Sequence, residues 1–115
     1  MQNNAKIDSD RATAKTIISA AQIFAAENNA TADTDFIVSP STTALDTLVA
    51  KGYLDPVGNT QTSAKPFALA VTGSGSTGFT YSVSADSKVI ATQTPAAGYK
   101  VVKTTPFLKS NETAD

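Results

Sequence analysis

Residues 11–28 read RATAKTIISAAQIFAAEN. On a helical wheel that includes the residues just before, Ile7, Ala14, Ile17, Ile18, Ala21, Phe24 and Ala25 share one stripe. That is the pattern of a helix with one buried side. Alanine, the best helix former, is frequent in it. The spacing predicts a helix over 7–28, on the order of 30 Å long. Asp8, Arg11, Lys15 and Gln22 lie to one side, and the i, i+3 spacing of Asp8 and Arg11 predicts a weak surface ion pair. The far side carries Ala12, Thr16, Ser19, Ala20 and Ile23. Two readings of it stand together. It is an exposed face of good helix formers, or a second packing surface whose small residues let another helix approach.

Residues 29–64 form a connecting region with a short helix. Phe36, Ile37 and Val38 are its first apolar anchor, and Ser39-Pro40 breaks the chain. Thr43 suits an N-cap, with Asp46 three residues on, close to a capping box. Leu45, Leu48 and Val49 give the apolar set of one helical side. The stretch LVAKGYLDP, residues 48–56, then ends the helix. Gly52 fits the left-handed position beyond the last turn. Tyr53 is then expected to fold back on Leu48, closing a Schellman motif. Leu54 returns the chain to the core, and Asp55-Pro56 prevents further helix.

From residue 66 to 106 the period is two. Phe67, Leu69 and Val71 alternate with Ala68 and Ala70; Phe79, Tyr81 and Val83 alternate with Thr80, Ser82 and Ser84. Further strands are expected over 89–93 and 99–105, with TGSGSTG, ADSK and TPAAG as the connections. Connections this short imply an antiparallel meander of four strands. Residues 107–115 read as a frayed tail. The expected fold is a single α+β domain: a long N-terminal helix packed on a four-stranded antiparallel sheet, with a short helix in the connection.

The composition narrows the chemistry. The chain has 115 residues and a net charge of −1, with charged residues at 17% and no His, Cys or Trp. Without Cys there is no disulfide, thiol nucleophile or thiolate zinc site. Without His the commonest general base is missing and no Ser-His-Asp triad can be built. The charge creates no field that favours nucleic acid or anionic membrane. No run approaches the roughly 20 apolar residues that span a bilayer. Ser and Thr fill about a quarter of the chain, so the surface is expected to be rich in hydroxyls. No enzyme activity, cofactor, metal, nucleic-acid partner or membrane contact is expected.

Individual motifs point the same way. Asp33 and Asp35 lack the glycine and downstream Glu of a calcium loop and read as a solvated loop. TGSGSTG lacks the Lys of a phosphate loop and reads as a hairpin connection. Asn29 and Asn111 begin matches to the N-glycosylation sequon, which arise by chance in a chain this rich in Ser and Thr. A surface module that binds glycan or protein would need Tyr81 and Tyr99 on the solvent face.

The order of elements carries a resemblance. A small-residue-rich helix, a polar connection, a short helix ending in Leu48, Val49, Gly52, Tyr53 and Leu54, then an antiparallel meander: this resembles the globular head of a type IV pilin or pseudopilin. The likeness covers roughly residues 7–105, with 48–54 as its best local match. The prepilin cleavage site, the Phe and Glu beyond it and the hydrophobic stalk of that family do not occur here. The resemblance thus extends to a head whose stalk has been removed or is a separate chain. It implies a structural subunit of an extracellular filament, or of a periplasmic pseudopilus of type II secretion. Its partners would be further subunits or a stalk chain. The implied roles divide the helix in two. Ala12, Thr16, Ser19, Ala20 and Ile23 would meet neighbouring subunits. Ile17, Ile18, Ala21 and Phe24 would hold the head together, with Leu48, Gly52, Tyr53 and Leu54.

Overall fold

The computed structural model describes residues 2–39 and 41–115. Helix α1 runs Gln2–Glu27, a single 3₁₀ turn spans Asp33–Phe36, and helix α2 spans Ala44–Ala50. Strands β1 (Phe67–Ser74), β2 (Gly78–Ala85), β3 (Lys88–Thr94) and β4 (Gly98–Val101) follow. The sheet order is β1-β2-β3-β4 and every pairing is antiparallel, so the meander is as expected. Pro40, read as a chain breaker, lies outside the described residues.

The helix starts five residues earlier than its apolar stripe. At 1.5 Å per residue its 26 residues reach roughly 39 Å, which accounts for the 42 Å long axis of the molecule. Ile7, Ala14, Ile17, Ile18, Ala21 and Phe24 are all buried. α1 lies over β2 and β3, where Tyr81, Val83, Ala85, Ile90 and Ala91 complete the core. Phe36 sits at the centre of an aromatic cluster. Its ring is 5.3 Å from that of Phe24, 5.2 Å from Phe79 and 5.9 Å from Tyr81.

The end of α2 forms as its residues require. Gly52 has φ 82°, the left-handed region where a glycine carries no Cβ penalty. Tyr53 N–H donates to the Leu48 carbonyl at 2.9 Å, and Gly52 N–H to that of Val49 at 3.2 Å. These are the two bonds of a Schellman motif. The Tyr53 ring meets Phe24 edge-on, and its hydroxyl donates to Glu27 Oε1 at 2.9 Å, which ties the end of α2 to the end of α1. At the other end, Thr43 Oγ1 accepts from Asp46 N–H. The capping box is not closed, because the Asp46 carboxylate accepts from the Thr42 hydroxyl instead. Leu54 is buried, as its place after the cap implied.

Three expectations change. The fourth strand ends at Val101, not at residue 105, because the chain then leaves the sheet toward the C-terminal segment. β3 carries a bulge: Val83 pairs with Ala91 but Ser84 pairs with Val89, so Ile90 is the extra residue. A bulge of this kind breaks strict alternation, and both Ile90 and Ala91 face the core. The C-terminal segment is not frayed. Phe107 is fully buried, and the Asp115 N–H donates to the Lys103 carbonyl while its carboxylate accepts from Lys103 N–H.

Candidate functional site

α1 has two sides with different fates. Its outward side carries a row of exposed positions, Ala5, Ser9, Ala12, Thr16, Ser19, Ile23 and Ala26, flanked by the exposed charged residues Lys6, Asp8, Lys15 and Glu27. Their spacing alternates four and three residues, the repeat that keeps one seam of a helix facing a partner helix. Six of the seven are Ala, Ser or Thr, and none is charged. Ile23, 52% exposed, is the one large apolar side chain on the seam. Of the three seam hydroxyls, that of Thr16 is satisfied within the helix: Thr16 Oγ1 donates to the Ala12 carbonyl at 3.0 Å. Beside the seam, Thr13 Oγ1 does the same to the Ser9 carbonyl at 3.1 Å. A hydroxyl bonded to its own helix is buried at lower cost than a free one.

Of the five residues expected on this side, Ala12, Thr16, Ser19 and Ile23 are there. Ala20 is not. It is 4% exposed and belongs to the core. α1 is flanked by α2 as well as by the sheet, so its buried arc is wider than the stripe suggested. Ala5, Ser9 and Ala26 take the places that Ala20 does not. They were open to detection by extending the four-and-three spacing in both directions. The N-terminal half of the seam borders a groove of about 500 Å³. Ser9, Ala12 and Thr16 form one wall, and the loop from Gly52 to Val57 forms the other.

The seam is held in place by two attachments that the sequence pattern did not reveal. The first is Asp10, which lies on the apolar stripe between Ile7 and Ala14 and is 1% exposed. Its carboxylate accepts from the backbone N–H of Gln61 at 2.7 Å and of Thr62 at 2.9 Å. It thus fixes the loop before β1 to the helix. A charged residue inside an apolar stripe was the available signal.

The second attachment is the C-terminal segment, which runs along the N-terminal half of α1. Arg11 donates from two nitrogens to Glu112, at 2.8 and 2.6 Å, and to the Phe107 carbonyl at 3.0 Å. Lys109 pairs with Asp8 at 2.8 Å, and Ser110 N–H donates to Asn4 Oδ1 at 2.9 Å. The expected Asp8–Arg11 pair is therefore replaced by two pairs to the tail. Both partners come from about a hundred residues away, beyond the reach of helix periodicity.

The Arg11 hydrogen bonds, with the Lys109 backbone N–H, hold the Glu112 carboxyl down from its ordinary value of 4.5 to about 2. A depressed carboxylate contributes stability that is fully present above its unfolded pKa and is lost as pH falls toward the folded one. Glu112→Gln is thus expected to lower the melting temperature at pH 7. The gap to the parent should close between about pH 4.5 and 2. Thermal melts of both proteins across that range check it, and a gap that is constant in pH would contradict the assignment.

The remaining candidates form no site. Tyr81 is 4% exposed, and Tyr99 is half-buried beneath the Lys15 ammonium, 5.2 Å from the ring centre. Burial pushes both phenols up, and the pair forms no exposed aromatic platform. Asp35 accepts from the N–H groups of Thr31 and Ala32, which hold its carboxyl below the usual range. Among the described residues no three acidic side chains converge on one point. Asn29 is the left-handed residue that ends α1, with φ 50° and an Ala30 N–H to Ala25 carbonyl bond across it. Its presence has a structural reason independent of the sequon. No helix is long and apolar enough to cross a membrane among the described residues. In comparisons with known proteins, the chain matches no family model, no curated protein and no solved structure.

Proposed function

We propose that this chain is the head domain of a filament subunit of the type IV pilin or pseudopilin kind, acting by assembly and not by catalysis. The observation that supports this most is the outer side of α1. Seven exposed, uncharged and mostly small positions follow a four-and-three spacing along the helix, from Ala5 to Ala26. A helix that served only to cover the sheet would need no such seam, and charged residues would serve its solvent side better. Small side chains let a second helix come within close packing distance. In this reading the seam receives a neighbouring subunit or a stalk helix, and the Ser/Thr-rich strands form the fibre exterior outside the cell or in the periplasm. The buried Tyr81 and packed Tyr99 favour assembly over a surface module that recognises ligands through aromatic rings.

The chain has no cysteine, so an introduced thiol is its only one. Ser19→Cys in the expressing cells is expected to give disulfide- or maleimide-linked subunits in sheared surface filaments. Asp86→Cys, in the exposed β2–β3 turn, is expected to give none. Equal cross-linking at both positions, or none at Ser19 in filaments shown to contain the chain, would contradict the reading.

A further inference from the structure

β1 is an edge strand whose outer side is bridged by other backbone only at its ends, with the 3₁₀ turn and α2 flanking it between. At one end Ala32 bridges Ser74, and the Gly75 N–H donates to the Thr31 carbonyl at 2.9 Å. At the other, Asn59 bridges Pro66, and the Thr60 N–H donates to the Lys65 carbonyl at 2.8 Å. Backbone groups alternate sides along a strand, with the N–H and C=O of one residue pointing the same way. Both end contacts use odd-numbered residues of the β1 chain. Leu69 and Val71 therefore present their N–H and C=O groups outward as well. Outside the sheet none of these four groups has a backbone hydrogen-bond partner among the described residues.

A groove of about 300 Å³ runs along this open edge. Asp33, Ile37, Thr42 and Ala44 line one wall, and Leu69 and Val71 the other. Ile37 is 53% exposed, although it lies beside the core residue Phe36. Asp33 is the only charged residue of the lining and has no ion pair among the described residues. The site thus offers unpaired backbone, an apolar contact and one negative charge.

We propose that this edge accepts an extended segment of another polypeptide as a fifth strand, apolar at alternate positions and with a lysine or arginine at the Asp33 end. The occupant is a lone strand and not a second copy of the domain. A copy pairing through its own β1 would bring its own 3₁₀ turn and α2 into the space these elements already occupy. Strand addition of this kind takes its affinity from main-chain bonds and its choice of partner from the alternate side chains. The surface lies apart from the outer side of α1 and does not depend on the filament reading.

The test uses the ¹⁵N-labelled protein and a capped synthetic hexapeptide of lysine followed by alternating valine and threonine. Amide exchange at Leu69 and Val71 is expected to slow by about tenfold at millimolar peptide, since exchange reports local protection. Val71→Pro should lose that response while keeping the fold, because proline is tolerated on an edge strand where the N–H faces outward. If Val71→Pro fails to fold, Ile37→Asp is expected to lose the response through an exposed residue outside the core. Asp33→Lys should move the preference to a peptide led by glutamate. No slowing at Leu69 and Val71 in the parent would overturn the proposal, as would an unaltered response in a folded Val71→Pro or, failing that, in Ile37→Asp. Slowing that rises with protein concentration in the absence of peptide would also overturn it, in favour of pairing between copies.

Discussion

Phe36→Ala is expected to lower the free energy of unfolding by about 3–5 kcal/mol, the usual cost of truncating a buried phenylalanine. Phe36 is 1% exposed and its ring contacts those of Phe24, Phe79 and Tyr81. It is therefore the point at which α1, the 3₁₀ turn and β2 meet. The cavity cannot collapse easily, because the surrounding rings are fixed to two different elements, Phe24 to α1 and Phe79 and Tyr81 to β2. Tilted and edge-on ring pairs add about 0.5–1.5 kcal/mol each beyond the area they bury. A domain of this size has roughly 5–15 kcal/mol in total, so the loss is a large share of it. The melting temperature should fall by roughly 10–20 °C. Urea denaturation of parent and variant measures the difference, and Phe36→Leu should recover more than half. A loss under about 1 kcal/mol would mean that Phe36 is not the hub of the core.

Asp10→Ala is expected to cost about 2–3 kcal/mol, through the two backbone donors it leaves without an acceptor. Gln61 and Thr62 give their N–H groups to the Asp10 carboxylate, and the carboxylate is buried where water would have to enter to replace it. Bonds to a charged acceptor are the stronger kind, at about 1.5–3 kcal/mol. Asp10→Asn should recover little. One of its terminal atoms becomes a donor and faces an N–H that also donates. The amides of Gln61 and Thr62 should become the fastest-exchanging in their loop in both variants. Unchanged protection there, with unchanged stability, would contradict the proposed attachment.

These two residues also mark what sequence reasoning could and could not reach. The α+β class, the strand alternation and the end of α2 were legible because they depend on local rules. Gly52 sits at a left-handed φ, and Tyr53 N–H bonds back to Leu48 for reasons contained within six residues. The stripe of α1 was legible for the same reason. What escaped was everything set by distant partners. Arg11 reads as a helix-surface residue until Glu112 is brought against it. Asp10 reads as a polar interruption until the Gln61–Thr62 turn covers it. Ile90 breaks the period because the bulge on β3 is set by pairing with β2. Ala20 was assigned to the outer side because the wheel carries no information about α2 as a second neighbour.

The candidate site follows the same division. Ala12, Thr16, Ser19 and Ile23 were found from the wheel, and exposure extends the seam to Ala5, Ser9 and Ala26. Thr16 bonding back to its own helix lowers the cost that burying its hydroxyl in a contact would carry. The groove between Ser9, Ala12, Thr16 and the Gly52–Val57 loop depends on where the Schellman motif sends the chain. The short stretch that ends α2 thereby shapes the surface on which the filament reading rests.

The most direct test of that reading is a density map of surface filaments from cells that express the chain, at a resolution that shows helices. The account predicts α1 with Ala12, Thr16, Ser19 and Ile23 turned against a neighbouring helix, and the sheet facing outward. A filament in which that side of α1 faces open solvent would contradict it.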